Sequence, residues 1–353
     1  MQENDMIISH DDPILITGAN GFIGSRVVEQ LLKYGFKNLR CFVRPSSNLS
    51  SLDRIAKDYT GVPLDIVKGN LLSRDDCAKA SKGIKVVYHL AAGIEKSFPG
   101  SFMNSVVTTR NLLDAVVKEG SLKRFVNVSS FAVYSNWNMK RGDLLDETCE
   151  LESHHVERYD AYAFAKVKQD ELLLDYAKRF NIPYVILRPG QVFGPGKKGL
   201  TGRIGIDTFG IFLHLGGSNT IPFTYVDNCA EAIVLSGIRK GVDGEVFNIV
   251  DDDLPTSRQF LKRYKKHVRN FWSLYVPYRL FYRFCHAWEW YVSYSDGQFP
   301  PAFNRRKCAV SWQGNRYSNE KLKKLLGWKP AVPFEEAARR YFDGERKIGV
   351  RHA

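Results

Sequence analysis

Tyr162 and Lys166 stand four residues apart in DAYAFAKVKQDELLLDYAKRF, residues 160–180. The stretch has a helical pattern with Asp160 as its N-cap, so phenol and ammonium share one helix face. A nearby cation stabilises phenolate and draws a tyrosine pKa down from about 10, which makes the phenol an acid/base catalyst near neutral pH. Ser130 closes the apolar run of VNVSSFAVY, residues 126–134, where its hydroxyl can hold a substrate oxygen beside Tyr162. Ser129 is its neighbouring alternative. Such a set serves hydride transfer between a substrate carbon and a nicotinamide.

A nicotinamide needs a dinucleotide site, and ILITGANGFIGSRVVEQLLKYG, residues 14–35, supplies its signature. An apolar strand runs into Gly18, Gly21 and Gly24, a helical repeat follows until Gly35, and LRCFVRP reads as the next strand. In that context the glycines permit a tight turn, bring backbone amides to a pyrophosphate, and let the helix pack on the strand. The residue after the second strand chooses the cofactor: an acid bonds a ribose 2′-hydroxyl, an arginine accommodates a 2′-phosphate. Arg44 stands there, with no carboxylate at the strand end, so NADP is favoured over NAD.

The spacing TGxxGxxG resembles the extended short-chain dehydrogenase/reductase family, the NAD-dependent epimerase/dehydratase group. Further stretches resemble its landmarks in order: KGNL (68–71), VVYHLAAG (86–93), VNVSSFAVY, YAFAK (162–166), LRPGQVFGPG (187–196), FTYVDNCAEA (223–232), VFNI (246–249) and LGWKP (326–330). The resemblance runs from about residue 13 to residue 343. It implies Ser130, Tyr162 and Lys166 as the catalytic set. It also implies a dinucleotide held by Gly18, Asn20, Gly21, Phe22, Ile23 and Gly24, by Arg44, by Asn70 and Leu71 near the adenine, by Leu90, Ala91 and Ala92, and by Tyr162, Lys166 and Pro189. Asn70 replaces the family's usual aspartate, its amide oxygen still able to accept a bond from adenine, and Ser105 replaces an asparagine.

The implied architecture is α/β: a Rossmann-type doubly wound parallel sheet from residues 1–190 and 222–250, with a smaller interleaved substrate domain from 191–221 and 251–353. Alternating strand and helix patterns up to about residue 190 agree with it. Helices near 105–119 and 160–180 would pair two subunits as a homodimer. In the substrate region Gln191 lies where many nucleotide-sugar members carry a substrate-contacting asparagine, and NTIPFTYVDN lacks the arginine that many of them use on a diphosphate. Arg305, Arg306 and Arg316 are the substitute cations, Arg306 foremost. The expected substrate is a nucleotide-linked sugar; the alternatives are a sterol-like or other hydrophobic hydroxy/keto compound, or a silent dinucleotide sensor.

Composition bounds the rest. The 353 residues, 44 % hydrophobic and 25 % charged, suit a folded soluble chain, and the net charge of +13 suits an anionic cofactor or substrate. No nucleic-acid module is recognised, so no nucleic-acid partner is expected. Six cysteines lie far apart with no CxxC pair, which signals neither a metal site nor a disulfide framework. The N-terminal residues contain no apolar run of signal-peptide length, and a cytoplasmic location is expected. The aromatic stretch 271–292, preceded by KRYKKHVR, has three readings: a packed helix, the wall of an apolar acceptor pocket, or a peripheral membrane contact through 259–292. In it Arg279, Arg283 and His286 are expected on one helical face, opposite the aromatics.

Overall fold

A computed structural model describes residues 5–350 apart from positions 94, 96, 209 and 297. Seven short strands, β1 (Ile14–Thr17), β2 (Leu39–Val43), β3 (Asp65–Lys68), β4 (Val86–His89), β5 (Arg124–Val128), β6 (Tyr184–Pro189) and β7 (Glu245–Ile249), form one sheet. Its spatial order is β3-β2-β1-β4-β5-β6-β7, and every neighbouring pair is parallel. Parallel strands require crossovers, and helices supply them on both faces.

The strand sequences show why both faces are covered. In β1, Ile14 and Ile16 enter one apolar cluster with Val86, Val126, Leu187 and Phe247, while Leu15 enters the other with Val87, Phe125 and Ile186. A strand whose two faces are both apolar is stable only between two layers. Helix α1 (Gly24–Lys33) packs on the first face with Val27, Val28 and Leu31. Helices α2 (Thr108–Glu119) and α3 (Ala161–Phe180) pack on the second with Leu112, Leu113, Leu173 and Tyr176.

The chain reverses its winding at β1, between β2 and β4. Open α/β sheets bind ligands at the carboxyl edge of such a switch point. Gly18, Arg44, Leu90, Ser130 and Gly190 all follow directly on, or within two residues of, the ends of β1, β2, β4, β5 and β6. One edge therefore collects residues spread over 170 positions of chain.

The remaining segments build against that edge. Gly205–Thr208 and Ile211–His214 pair antiparallel, and Ser273–Tyr275 joins them in parallel from some sixty residues later. Helix α4 (Ser257–His267) starts with a capping box between Thr256 and Gln259. Helix α5 (Tyr278–Tyr294) buries Phe281 and Cys285 against Leu215, Cys308 and Trp312. Among the described residues no helix is long and apolar enough to cross a membrane. All six cysteines are free.

Candidate active site

The turn after β1 is built for close approach. Gly18 has φ +69°, and a Cβ there would sit 3.1 Å from the Ala91 amide nitrogen. A Cβ on Gly24 would overlap the carbonyl oxygen of Gly18. Gly21 N donates to that carbonyl at 2.9 Å and closes the turn. Helix α1 begins at Gly24 with no side-chain cap at Ile23 and no acid in its first turn. Its positive end is left unneutralised, which suits a pyrophosphate, so these residues fit a dinucleotide. Asn20, Phe22 and Ile23 are part-buried in the same turn, and Leu90 and Ala91 flank it from the end of β4, with Ala92 exposed beyond them.

Two cofactor residues differ in what they can offer. Arg44 is exposed immediately after β2, its guanidinium free to meet a ligand phosphate. Asn70 is exposed too, but its Oδ1 accepts from Leu72 N at 3.0 Å and its backbone N donates to Asp76 at 2.8 Å. The expected amide-oxygen acceptor is thus used within its own turn, and the side-chain NH₂ remains. Leu71 and Pro189 are buried.

Asp160 caps α3 as expected, its Oδ1 accepting from Ala163 N at 3.0 Å. The Ser130 hydroxyl lies beside the Tyr162 phenol, and Ser130 Oγ accepts from Ala132 N at 3.1 Å. Ser129 points the other way and donates to Asp170 at 3.0 Å. The two serines thus face different partners at the strand end, Ser129 towards Asp170 and Ser130 towards Tyr162. Burial pushes the Tyr162 phenol up from its ordinary value, and the Ser130 hydroxyl opposes that shift.

Lys166 shares the helix face of Tyr162, but the hydrogen-bond partners of its amine lie elsewhere. Its Nζ is buried and donates to the Val128 carbonyl at 2.7 Å and to Gln169 Oε1 at 2.8 Å. Desolvation lowers its pKa to about 8, with Asp170 pulling in the opposite direction. A buried ammonium must find acceptors, and these two are nearest.

Beneath the site lies a polar network that spacing alone leaves unseen. Asp170 accepts from Asn127 and Ser129, both at 3.0 Å, and from Arg188 at 3.3 Å. Arg188 stacks over Tyr134 and donates to its hydroxyl, which donates to Asn248 at 2.7 Å. The ends of β5, β6 and β7 are tied together in this way. A second path joins Lys166 to the glycine turn: Gln169 donates to Thr109 at 2.7 Å, Thr109 meets His89 at 2.8 Å, and His89 meets Thr17 at 2.8 Å. Burial, with the Lys166 charge adding to it, holds His89 neutral by lowering its pKa to about 3. The i, i+3 and i, i+4 spacing of Gln169 and Asp170 from Lys166 was the available signal for both.

A cavity of about 860 Å³ opens beside the substrate segments. Trp137, Tyr275, Tyr278 and Tyr282 line it together with Arg141, Arg279 and Arg283. The arginines expected to face a diphosphate are engaged elsewhere. Arg306 pairs with Glu157 at 2.8 Å and stacks on Trp137 at 4.6 Å, Arg305 pairs with Glu289 at 2.6 Å, and Arg316 donates to the Gly142 carbonyl. Gln191 begins a short strand paired with Phe223–Tyr225 and borders a separate small pocket with Lys197 and Tyr341. The aromatic stretch also divides differently from the helical-wheel expectation. Phe281 and Trp288 turn inward, while Phe284, Trp290, Tyr291 and Tyr294 share the exposed side with Arg279 and Arg283.

Known proteins resemble this chain in sequence and in fold. The chain is 25 % identical over 347 residues to the decarboxylating sterol-4-alpha-carboxylate 3-dehydrogenase of Mus musculus, covering 94 % of this chain and 91 % of that one. It is 29 % identical over 260 residues to the dTDP-D-glucose 4,6-dehydratase of Dictyostelium discoideum, covering 68 % of this chain and 58 % of that one. The fold superposes with TM-score 0.70 on the UDP-glucuronic acid 4-epimerase of Bacillus cereus in complex with UDP-glucuronic acid and NAD, at 22 % identity over 95 % of this chain and 99 % of that one. Residues 14–250 match the NAD dependent epimerase/dehydratase family as a whole, and to that family of extended short-chain dehydrogenase/reductase enzymes the chain belongs.

Proposed function

We propose that the protein oxidises or reduces a secondary alcohol or ketone of a nucleotide-linked sugar, with Ser130, Tyr162 and Lys166 as its catalytic set and NADP as its preferred dinucleotide. The observation that carries the substrate class is the cavity: aromatic plates at Trp137, Tyr275 and Tyr278 suit a base, and the guanidinium groups of Arg279 and Arg283 suit a diphosphate. Bound nicotinamide would supply or accept the hydride. The chain's own residues handle the proton: the Tyr162 phenolate takes it from the alcohol on oxidation, and the Tyr162 phenol gives it to the forming alkoxide on reduction, while Ser130 holds the oxygen in place. Lys166 bonds the nicotinamide ribose and keeps a positive charge near the phenol. Arg44, exposed and without an acid beside it at the end of β2, supports the NADP preference.

This reading includes the division into a dinucleotide domain (1–190 and 222–250) and a substrate domain (191–221 and 251–353), a homodimer formed through α2 and α3, and a cytoplasmic location, which six free cysteines suit. A second reading has its own support. The match to the sterol dehydrogenase covers 94 % of this chain, the sugar dehydratase match only 68 %, and the cavity wall is rich in tyrosine. A thermal-shift panel on the NADP-saturated protein separates the two, because any ligand preferring the folded state raises the melting temperature. At least one UDP-, GDP-, CDP- or dTDP-sugar is expected to do so, and Arg283→Ala to diminish the shift. A panel in which only hydrophobic hydroxy or keto compounds shift the melt would replace the first reading with the second.

A further inference from the structure

The part of α5 that neither lines the cavity nor packs inward forms a surface of its own. Leu280, Phe284, Ala287, Tyr291 and Tyr294 recur at i, i+4, i+7, i+11 and i+14, and all are exposed. Trp290 lies among them at 66 % exposure, Leu280 at 60 % and Tyr294 at 75 %. Just before the helix, Trp272 is 65 % exposed and Leu274 is 47 % exposed at the edge strand Ser273–Tyr275. Soluble monomers seldom leave so many large apolar side chains on one helix face and its neighbouring strand.

The charges on this helix and on the stretch that precedes it say what would cover the face. Residues 259–283 hold seven Lys or Arg and no Asp or Glu. Arg263 is taken by Glu335, but Lys262, Lys266, Arg269, Arg279 and Arg283 are exposed, and among the described residues none of them has a carboxylate within 4 Å. Glu289, the one acid of α5, is neutralised by Arg305 at 2.6 Å. A second copy of this chain would set one cationic border against another. An occupant that is both apolar and anionic fits, and tryptophan and tyrosine have the amphipathic rings that settle at a headgroup boundary.

We propose that α5, with Trp272 and Leu274, docks flat on an anionic phospholipid bilayer. Leu280, Phe284, Trp290 and Tyr294 enter the upper acyl region, and the lysines and arginines sit at phosphate level. The helix is 17 residues long, about 26 Å at 1.5 Å per residue, and lies in the interface plane. Arg279 and Arg283 also line the cavity, so docking sets that wall beside the lipid headgroups.

Co-sedimentation of the full chain with phosphatidylcholine vesicles, with and without about a third of phosphatidylglycerol, tests this. Binding is expected to the anionic vesicles only, weakening with salt, with a blue shift of tryptophan emission. Lys262→Gln and Lys266→Gln should each lower the partition coefficient about fivefold, and the double variant Leu280→Glu/Trp290→Glu should abolish it. These positions are exposed, so far-UV circular dichroism, melting temperature and NADP affinity should stay as in wild type. Absence of binding to anionic vesicles overturns the proposal, as does unchanged binding of the double variant. A wild-type oligomer that Leu280→Glu/Trp290→Glu dissociates would overturn it also, assigning the face to a second copy.

Discussion

Lys166 Nζ and Gln169 Oε1 meet at 2.8 Å, one helical turn apart, in a fully buried pocket. Desolvation draws the Lys166 ammonium down to a pKa of about 8 against the pull of the Asp170 charge, and the amide oxygen, as an acceptor, favours the charged amine as well. Losing that acceptor should move the balance further down. For Gln169→Leu the alkaline loss of dinucleotide affinity should begin at lower pH than in wild type, and for Gln169→Glu at higher pH. Titration calorimetry across pH 6 to 10 checks the direction, and an unmoved profile in both variants removes Lys166 from dinucleotide binding.

The same shift has a stability consequence of definite sign. The folded-state pKa of Lys166 lies below that of an ordinary lysine, so between about pH 8 and the unfolded value the native state binds fewer protons than the unfolded chain. Stability from this group therefore rises with pH through that window. Relative to Lys166→Met, wild type should gain up to about 1 kcal/mol per pH unit between pH 8 and 10. Denaturant midpoints at pH 7, 8, 9 and 10 would show it.

Tyr162→Phe keeps the ring and deletes the proton-bearing oxygen that lies beside Ser130. Turnover should fall at least about a hundredfold, the usual contribution of a positioned acid/base, while NADP affinity stays within a few fold. Comparable turnover in the variant would return Tyr162 to a packing role.

Much of this site could be read from residue order. Strand, glycine turn and helix follow from a period change around Gly18, and the Tyr162–Lys166 face from a four-residue spacing on a helix that does start at Asp160. Side-chain allegiance could not be read in the same way. Asn70, Arg306 and Lys166 each bond a partner within this chain, and nothing in their spacing announces Leu72, Glu157 or the Val128 carbonyl. The cavity wall was legible in part: a pocket wall was one reading of 271–292, and Tyr275, Tyr278 and Tyr282 do line the cavity, whereas the three-residue strand Ser273–Tyr275 is too short to carry a periodic signal and pairs over long range.

Removal of the Arg44 guanidinium tests the choice of dinucleotide. If it meets a 2′-phosphate, Arg44→Ala should weaken NADP(H) by about 1.5 to 3 kcal/mol and NAD(H) far less. Wild type binding both equally, or a variant losing both equally, would make Arg44 an ordinary loop residue.

The α3 surface offers the last test, of assembly. Leu174 is 41 % exposed, on the side of the helix away from Tyr176, which with Leu173 fills the core, and Phe180, 44 % exposed, packs its ring beside Tyr176 at the helix end. Arg179 lies over the Phe180 ring at 5.0 Å, so the end of the helix presents an apolar ridge under a planar cation, a combination that partner surfaces bury well. If α2 and α3 join two subunits, Leu174→Glu should place a charge in a closed apolar contact at each of two symmetry-related positions. Light scattering on the eluting protein should then report a monomer where wild type is a dimer, with the melting temperature reduced because assembly no longer stabilises the fold. A wild type that already elutes as a monomer, or a Leu174→Glu protein that remains dimeric, would exclude this face as the contact.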